Sequence, residues 1–156
     1  MQAGTLVLID PLENHELPVR RLYGTPEFIE WLNDELPEYP TEKAYARLIP
    51  IEQVYAVFSD YVLGEVFSTD KRFKKLKYTP DLNVWQIKTT SIRIFGWVPE
   101  KDAFICCYGG LADTIKLRNQ YDLYQAKTFK IMRDIALDDP KWVASGRYED
   151  VISNEN

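Results

Sequence analysis

The sequence predicts an α+β domain, a small antiparallel sheet with helices on one of its faces. Three features of the chain lead to this reading. Apolar residues recur at helical spacing through much of residues 25–65. From residue 66 the period shortens, and VWQIKT, SIRIFGWV and AFICCYGG follow as β-rich segments with turn-like connections between them. A last stretch, residues 120–137, returns to helical spacing. Helical segments grouped apart from a run of strands are the pattern of α+β folds.

Taken in order, TLVLI (5–9) reads as a short strand closed by Asp10-Pro11, and a polar, proline-containing connection runs to Gly24. TPEFIEWLNDEL (25–36) is a helix. Thr25 is its cap, Pro26 takes the first helical position, and Glu27 suits the positive end. Phe28, Trp31 and Leu32 form its apolar stripe, and PEYP (37–40) ends it. The next helical stretch, 41–65, is capped by Thr41 and broken or kinked at Pro50. Ala44, Tyr45 and Leu48 line its first piece; Ile51, Val54, Tyr55 and Phe58 line the second, which Gly64 closes. STDKRFKKLKYTPD (68–81) is a basic loop or edge strand ending in a turn. The three β segments then form an antiparallel meander, and LADTIKLRN is expected to be a mixed loop. In the final helix Leu123, Ala126, Ile131 and Ile135 make the apolar face, and the tail carries Trp142 and Tyr148, so part of it packs.

With 46% hydrophobic and 13% aromatic residues, a chain of 156 residues can build a core, so residues 1–156 are read as a single domain. No apolar run approaches the roughly 18 residues that a membrane-spanning helix needs. The opening MQAGTLVLIDPLENHE has no basic stretch leading into an apolar one, and a cytoplasmic location is expected. Cys106 and Cys107 are adjacent, and neighbouring strand residues point to opposite faces, so they are expected to be free thiols. His15 is the only histidine and CxxC spacing is absent, so no metal site or other cofactor is expected. No P-loop, GxGxxG, HExxH or GxSxG occurs, and His15 has no nucleophile in a suggestive setting.

The overall charge of −5 conceals a partition. Residues 1–64 hold 4 Lys/Arg against 11 Asp/Glu, residues 65–137 hold 13 against 8, and residues 138–156 hold 2 against 5. The chain therefore has an acidic strand-plus-helices part, a basic core and an acidic tail. Within the basic part, Lys74, Lys75, Lys77, Lys88, Arg93, Lys116 and Arg118 are interleaved with Tyr108, Tyr121 and Tyr124. Cations neutralise phosphates and flat rings stack on unpaired bases, so this mixture points to RNA. Lys88 and Arg93 are the most informative, since each interrupts an apolar strand pattern: Trp85 and Ile87 on one strand, Ile92 and Ile94 on the next.

The series KKLK, VWQIKTTSIRIFGW, FICCYGGLADTIKLRN and YDLYQAK resembles the RelE/HigB superfamily of type II toxin–antitoxin toxins over about residues 71–137. Val84-Trp85-Gln86-Ile87-Lys88 stands for the family's Leu-Trp-Glu-Leu-Arg pattern, and Arg93 for the arginine of the next strand. Tyr108 falls where many members carry histidine, and Lys116, with Arg118, matches the lysines that follow. The resemblance implies a RelE-like fold and a cytoplasmic endoribonuclease that cuts mRNA, free or on the ribosome, and is neutralised by a cognate antitoxin protein. It implies metal-independent attack of a ribose 2′-hydroxyl on the adjacent phosphate. In that scheme Lys88 and Arg93 grip the phosphate, Lys116 assists, and Tyr108 or Tyr121 aligns it or donates a proton. Lys74, Lys75, Lys77, Arg118 and Tyr124 would bind flanking RNA. Two other functions belong to the same scaffold: a non-catalytic interaction module using the acidic N-terminal face, and a ParE-like inhibitor of DNA gyrase.

Overall fold

The computed structural model describes residues 6–40, 47–67, 69–77 and 82–153. It is an α+β structure built on one six-stranded sheet. In chain order the strands are β1 (Val7–Leu8), β2 (Arg21–Gly24), β3 (Phe73–Lys75), β4 (Trp85–Lys88), β5 (Ile92–Trp97) and β6 (Ala103–Leu111). Across the sheet they lie β1-β2-β6-β5-β4-β3. The meander β4-β5-β6 is antiparallel as expected, and the basic segment contributes β3 as the edge strand beside β4. The sheet as a whole is mixed, because β2 runs parallel to β6. This corrects the expectation of a wholly antiparallel sheet. Its source is β2, a four-residue strand whose RLYG sequence is too short to show alternation inside a polar connection.

Thr25 caps α1 (Pro26–Glu30) by accepting the Phe28 N–H at 3.2 Å. The helix continues through a π turn (Trp31–Glu35) and a 3₁₀ turn (Leu36–Glu38), keeping Phe28, Trp31 and Leu32 buried. Pro50 stands at the first position of α2 (Pro50–Leu63), where a missing N–H costs nothing. Gly64 ends α2 at φ 87°, a left-handed cap that glycine adopts without penalty. Val54 and Phe58 are buried, but Tyr55 and Leu48 are exposed rather than core. Ala44 and Tyr45 of the expected preceding helix lie outside the described residues.

Helices cover both faces of the sheet, where one covered face was expected. On the first face Leu22, Trp85, Ile87, Ile94 and Phe104 pack against α1, its continuation and α2. Phe73 stacks on Trp85 there, with centroids 4.6 Å apart. On the second face Phe95, Trp97, Ile105 and Cys107 pack against α3 (Ala112–Leu117) and α4 (Tyr121–Asp134). Residues 112–117 were expected to be loop; their helix is held by Ala112 and Ile115, both buried. The buried stripe of α4 is Gln125, Thr128 and Met132, while Leu123 and Ala126 are exposed. Of the expected face, Ile135 is buried and Ile131 packs against the second core, while in the first half of the helix Gln125 and Thr128 take the core positions and, being polar, do not register as core. Cys106 and Cys107 are free and buried in opposite cores.

The tail binds back across the sheet. Trp97 Nε1 donates to Lys141 O at 3.1 Å and the Val143 N–H to Val98 O at 2.9 Å. Val151 and Ile152, at the end of α5 (Tyr148–Val151), are buried in the first core. Among the described residues no helix is long and apolar enough to cross a membrane.

Candidate functional site

Alternation along a strand is what builds the site. Trp85 and Ile87 turn into the first core, so Gln86 and Lys88 face the other way. On β5, Ile92 and Ile94 occupy the first core, which turns Arg93 to the side of Lys88. The register then places Lys88 directly opposite Arg93, and Lys74 opposite Gln86. On this second face α4 covers β5 and β6, and beside it lies a cleft of about 490 Å³. Its walls are Lys74, Leu76, Lys77, Gln86, Lys88, Arg93, Lys116 and Tyr121. Five cations meet there, and among the described residues no carboxylate lines the walls.

Like charges directly opposite on paired strands cost roughly 0.2–1 kcal/mol. The fold holds Lys88 and Arg93 in place through backbone carbonyls. Lys88 Nζ donates to Asp70 O at 2.5 Å, and Arg93 Nη1 to Thr89 O at 2.6 Å and Ile92 O at 3.1 Å. Partial burial, with Arg93 and Lys74 nearby, pushes the Lys88 ammonium below the usual lysine range, and Asp70 opposes the shift. Asp70 is itself held by the tail: Tyr148 Oη lies 2.5 Å from its Oδ1 and 2.7 Å from Phe73 O. That hydrogen bond keeps the Asp70 carboxyl below its ordinary range.

The β4–β5 turn is clamped from the far side of the sheet. Gln53 of α2 accepts from Thr89 Oγ1 and from the Ser91 N–H, both at 2.8 Å, and its Nε2 donates to Ser91 Oγ at 3.0 Å. Gln53 thereby fixes the turn whose ends carry Lys88 and Arg93. A glutamine on an otherwise apolar helix face was its only signal in the sequence. Gln86 also went unassigned as a site residue. It is buried, and its Oε1 has no hydrogen-bond partner, an arrangement that costs about 1–3 kcal/mol when nothing compensates it.

Of the residues expected to form the site, Lys74, Lys77, Lys88, Arg93, Lys116 and Tyr121 come together in the cleft. Lys75 does not, since it follows Lys74 on β3 and takes the opposite face, beside Gly146. Arg118 is exposed just beyond α3, outside the walls. Tyr124 stacks on Phe95, 5.0 Å between centroids and 5° between planes, and so serves as packing. Tyr108 belongs to a separate cavity of about 390 Å³ that it shares with Glu27, Lys127 and Asp134. A β-bulge lies beside it: Phe95 pairs with Tyr108 but Gly96 with Cys106, so Cys107 is the extra residue and Tyr108 stays on the face of Phe95 and Arg93, where Tyr124 and Lys127 of α4 pack on its ring. Burial and Glu27 raise the Tyr108 phenol above its usual range, and Lys127 Nζ lies 4.7 Å from its ring centre.

Comparison of the chain with protein-family models, curated proteins and solved structures finds no match.

Proposed function

We propose that this protein is a RelE/HigB-like toxin: a metal-independent endoribonuclease that cuts mRNA, free or on the ribosome, and is restrained by a cognate antitoxin. The observation that carries this reading is the convergence of Lys74, Lys77, Lys88, Arg93 and Lys116 on one cleft that, among the described residues, has no acidic wall. The sequence resemblance over residues 71–137 supplies the reaction class, and Lys88, Arg93 and Lys116, the cations it singles out, are among those five.

In this reading the RNA backbone lies across the cleft with one phosphate between Arg93 and Lys88. The 2′-oxygen attacks phosphorus, the bond to the 5′-oxygen breaks, and the products are a 2′,3′-cyclic phosphate and a 5′-hydroxyl. Arg93, Lys74, Lys77 and Lys116 meet the charge that grows on the non-bridging oxygens. Lys88, the cleft ammonium with a lowered pKa, takes the 2′-hydroxyl proton in its neutral form. Tyr121 returns a proton to the leaving oxygen. Tyr108, in its own cavity, takes no part.

The test is RNA cleavage by purified protein in the presence of a chelator, with and without ribosomes, read by product ends. Lys88→Ala with Arg93→Ala is expected to lower the rate by at least about a hundredfold, the usual cost of a lost transition-state contact to such a phosphate. Undiminished cleavage by the folded double variant would sink the assignment. Blocked supercoiling by gyrase with RNA left intact would replace it with the inhibitor reading.

A further inference from the structure

We infer that Gln86 reads the ribose 2′-hydroxyl beside the bound phosphate, so that the cleft selects ribonucleotides over deoxyribonucleotides. This rests on the cleft being a nucleotide-phosphate site, as proposed above, and adds a residue that the charge pattern does not point to. Gln86 is 5% exposed and its Oε1 is buried without a hydrogen-bond partner, yet the residue is part of the cleft wall. The neighbours explain why an acceptor matters there. Arginine and protonated lysine are donors only, so while Lys88 keeps its proton the side-chain acceptors among the described wall residues are the Gln86 carbonyl and the Tyr121 phenol.

A phosphodiester offers acceptors alone, and the five cations satisfy those. The sugar decides the rest, because the 2′-hydroxyl is the donor that ribose has and deoxyribose lacks. Gln86 lies two residues before Lys88 on the same face of β4, which sets the acceptor next to the phosphate grip. An amide also suits the place better than a carboxylate. It accepts a hydrogen bond without cancelling one of the charges that hold the phosphate. The Gln86 Oε1 is buried, so a ligand reaches it only where a neighbouring side chain shifts, and Lys74 is the residue paired directly opposite on the edge strand.

The experiment is an NMR titration of the full chain with three uncleavable probes: inorganic phosphate, 2′-deoxyadenosine 3′-monophosphate and adenosine 3′-monophosphate. The ribonucleotide is expected to bind about tenfold more tightly than the deoxynucleotide, the range expected for one buried acceptor satisfied. The Gln86 side-chain amide should shift with the ribonucleotide only. Gln86→Met is expected to abolish the preference by weakening the ribonucleotide to the level of the deoxynucleotide. Gln86→Glu, which restores an acceptor, should recover the preference while weakening all three probes. Equal affinities of the wild type for the two nucleotides would overturn the assignment while leaving the phosphate site standing. So would a preference that survives in Gln86→Met. Absence of any cleft shift with all three probes would overturn the phosphate site and this inference together.

Discussion

The charge of the cleft sets a salt dependence that can be worked out in advance. For single strands the logarithm of affinity falls against the logarithm of salt by about 0.7 for each phosphate neutralised. Lys74, Lys77, Lys88, Arg93 and Lys116 all engaged would give a slope of about −3.5. Raising salt from about 50 to about 200 mM would then cost roughly a hundredfold in affinity. Lys88→Ala with Arg93→Ala leaves Lys74, Lys77 and Lys116, so the slope should relax to about −2 and the loss to roughly twentyfold. The assay is fluorescence anisotropy of a labelled 2′-O-methyl oligoribonucleotide, which cannot be cut. Arg118→Ala, outside the walls, is the matched control and should leave the slope at its wild-type value. A wild-type slope shallower than about −1, or one that the double substitution leaves unchanged, would refute a cleft that binds phosphates through these side chains.

Under the proposed mechanism, in which neutral Lys88 is the base, the cleavage rate under single turnover should rise with pH as Lys88 loses its proton. Its lowered pKa places that rise below the ordinary lysine value, and Lys88→Ala should remove it; a rate that is flat across the range would deny Lys88 the role. Gly96→Ala should destabilise the protein by about 3 kcal/mol or more, a fall in Tm of roughly 10 °C. Its Cβ would lie 1.9 Å from Ile105 O, a backbone atom that cannot swing away, and an unchanged Tm would show that the strands part more easily than the register implies.

The parts of the fold that were legible are those whose signals are local. Thr25-Pro26-Glu27 marks a helix start by the chemistry of three consecutive residues, and the helix begins there. Gly64 closes α2 because the left-handed cap favours glycine wherever it occurs. The misread elements depend on distant partners. β2 is a strand because β6 lies alongside it, and nothing within RLYG announces that pairing. The face of α4 is set by what the sheet offers, which admits Gln125 and Thr128 and leaves Leu123 outside.

The same division runs through the site. Period-2 alternation by itself determined that Lys88 and Arg93 stand on the polar side of strands whose other side is core, since a slip of one residue would bury the charge and expose Trp85. Composition by itself determined that the basic residues concentrate in 65–137. Only the tertiary structure decided which of those residues share a cleft. The edge pairing of β3 admitted Lys74 and turned Lys75 away, and α3 delivered Lys116 to the wall. Tyr124 and Lys127 of α4 packed over Tyr108, which lines a different cavity, and the packing of Gln86 left a buried acceptor among donors. Alternation is a property of one strand, whereas a cleft is made by several elements brought together, and only their packing sets their relative positions.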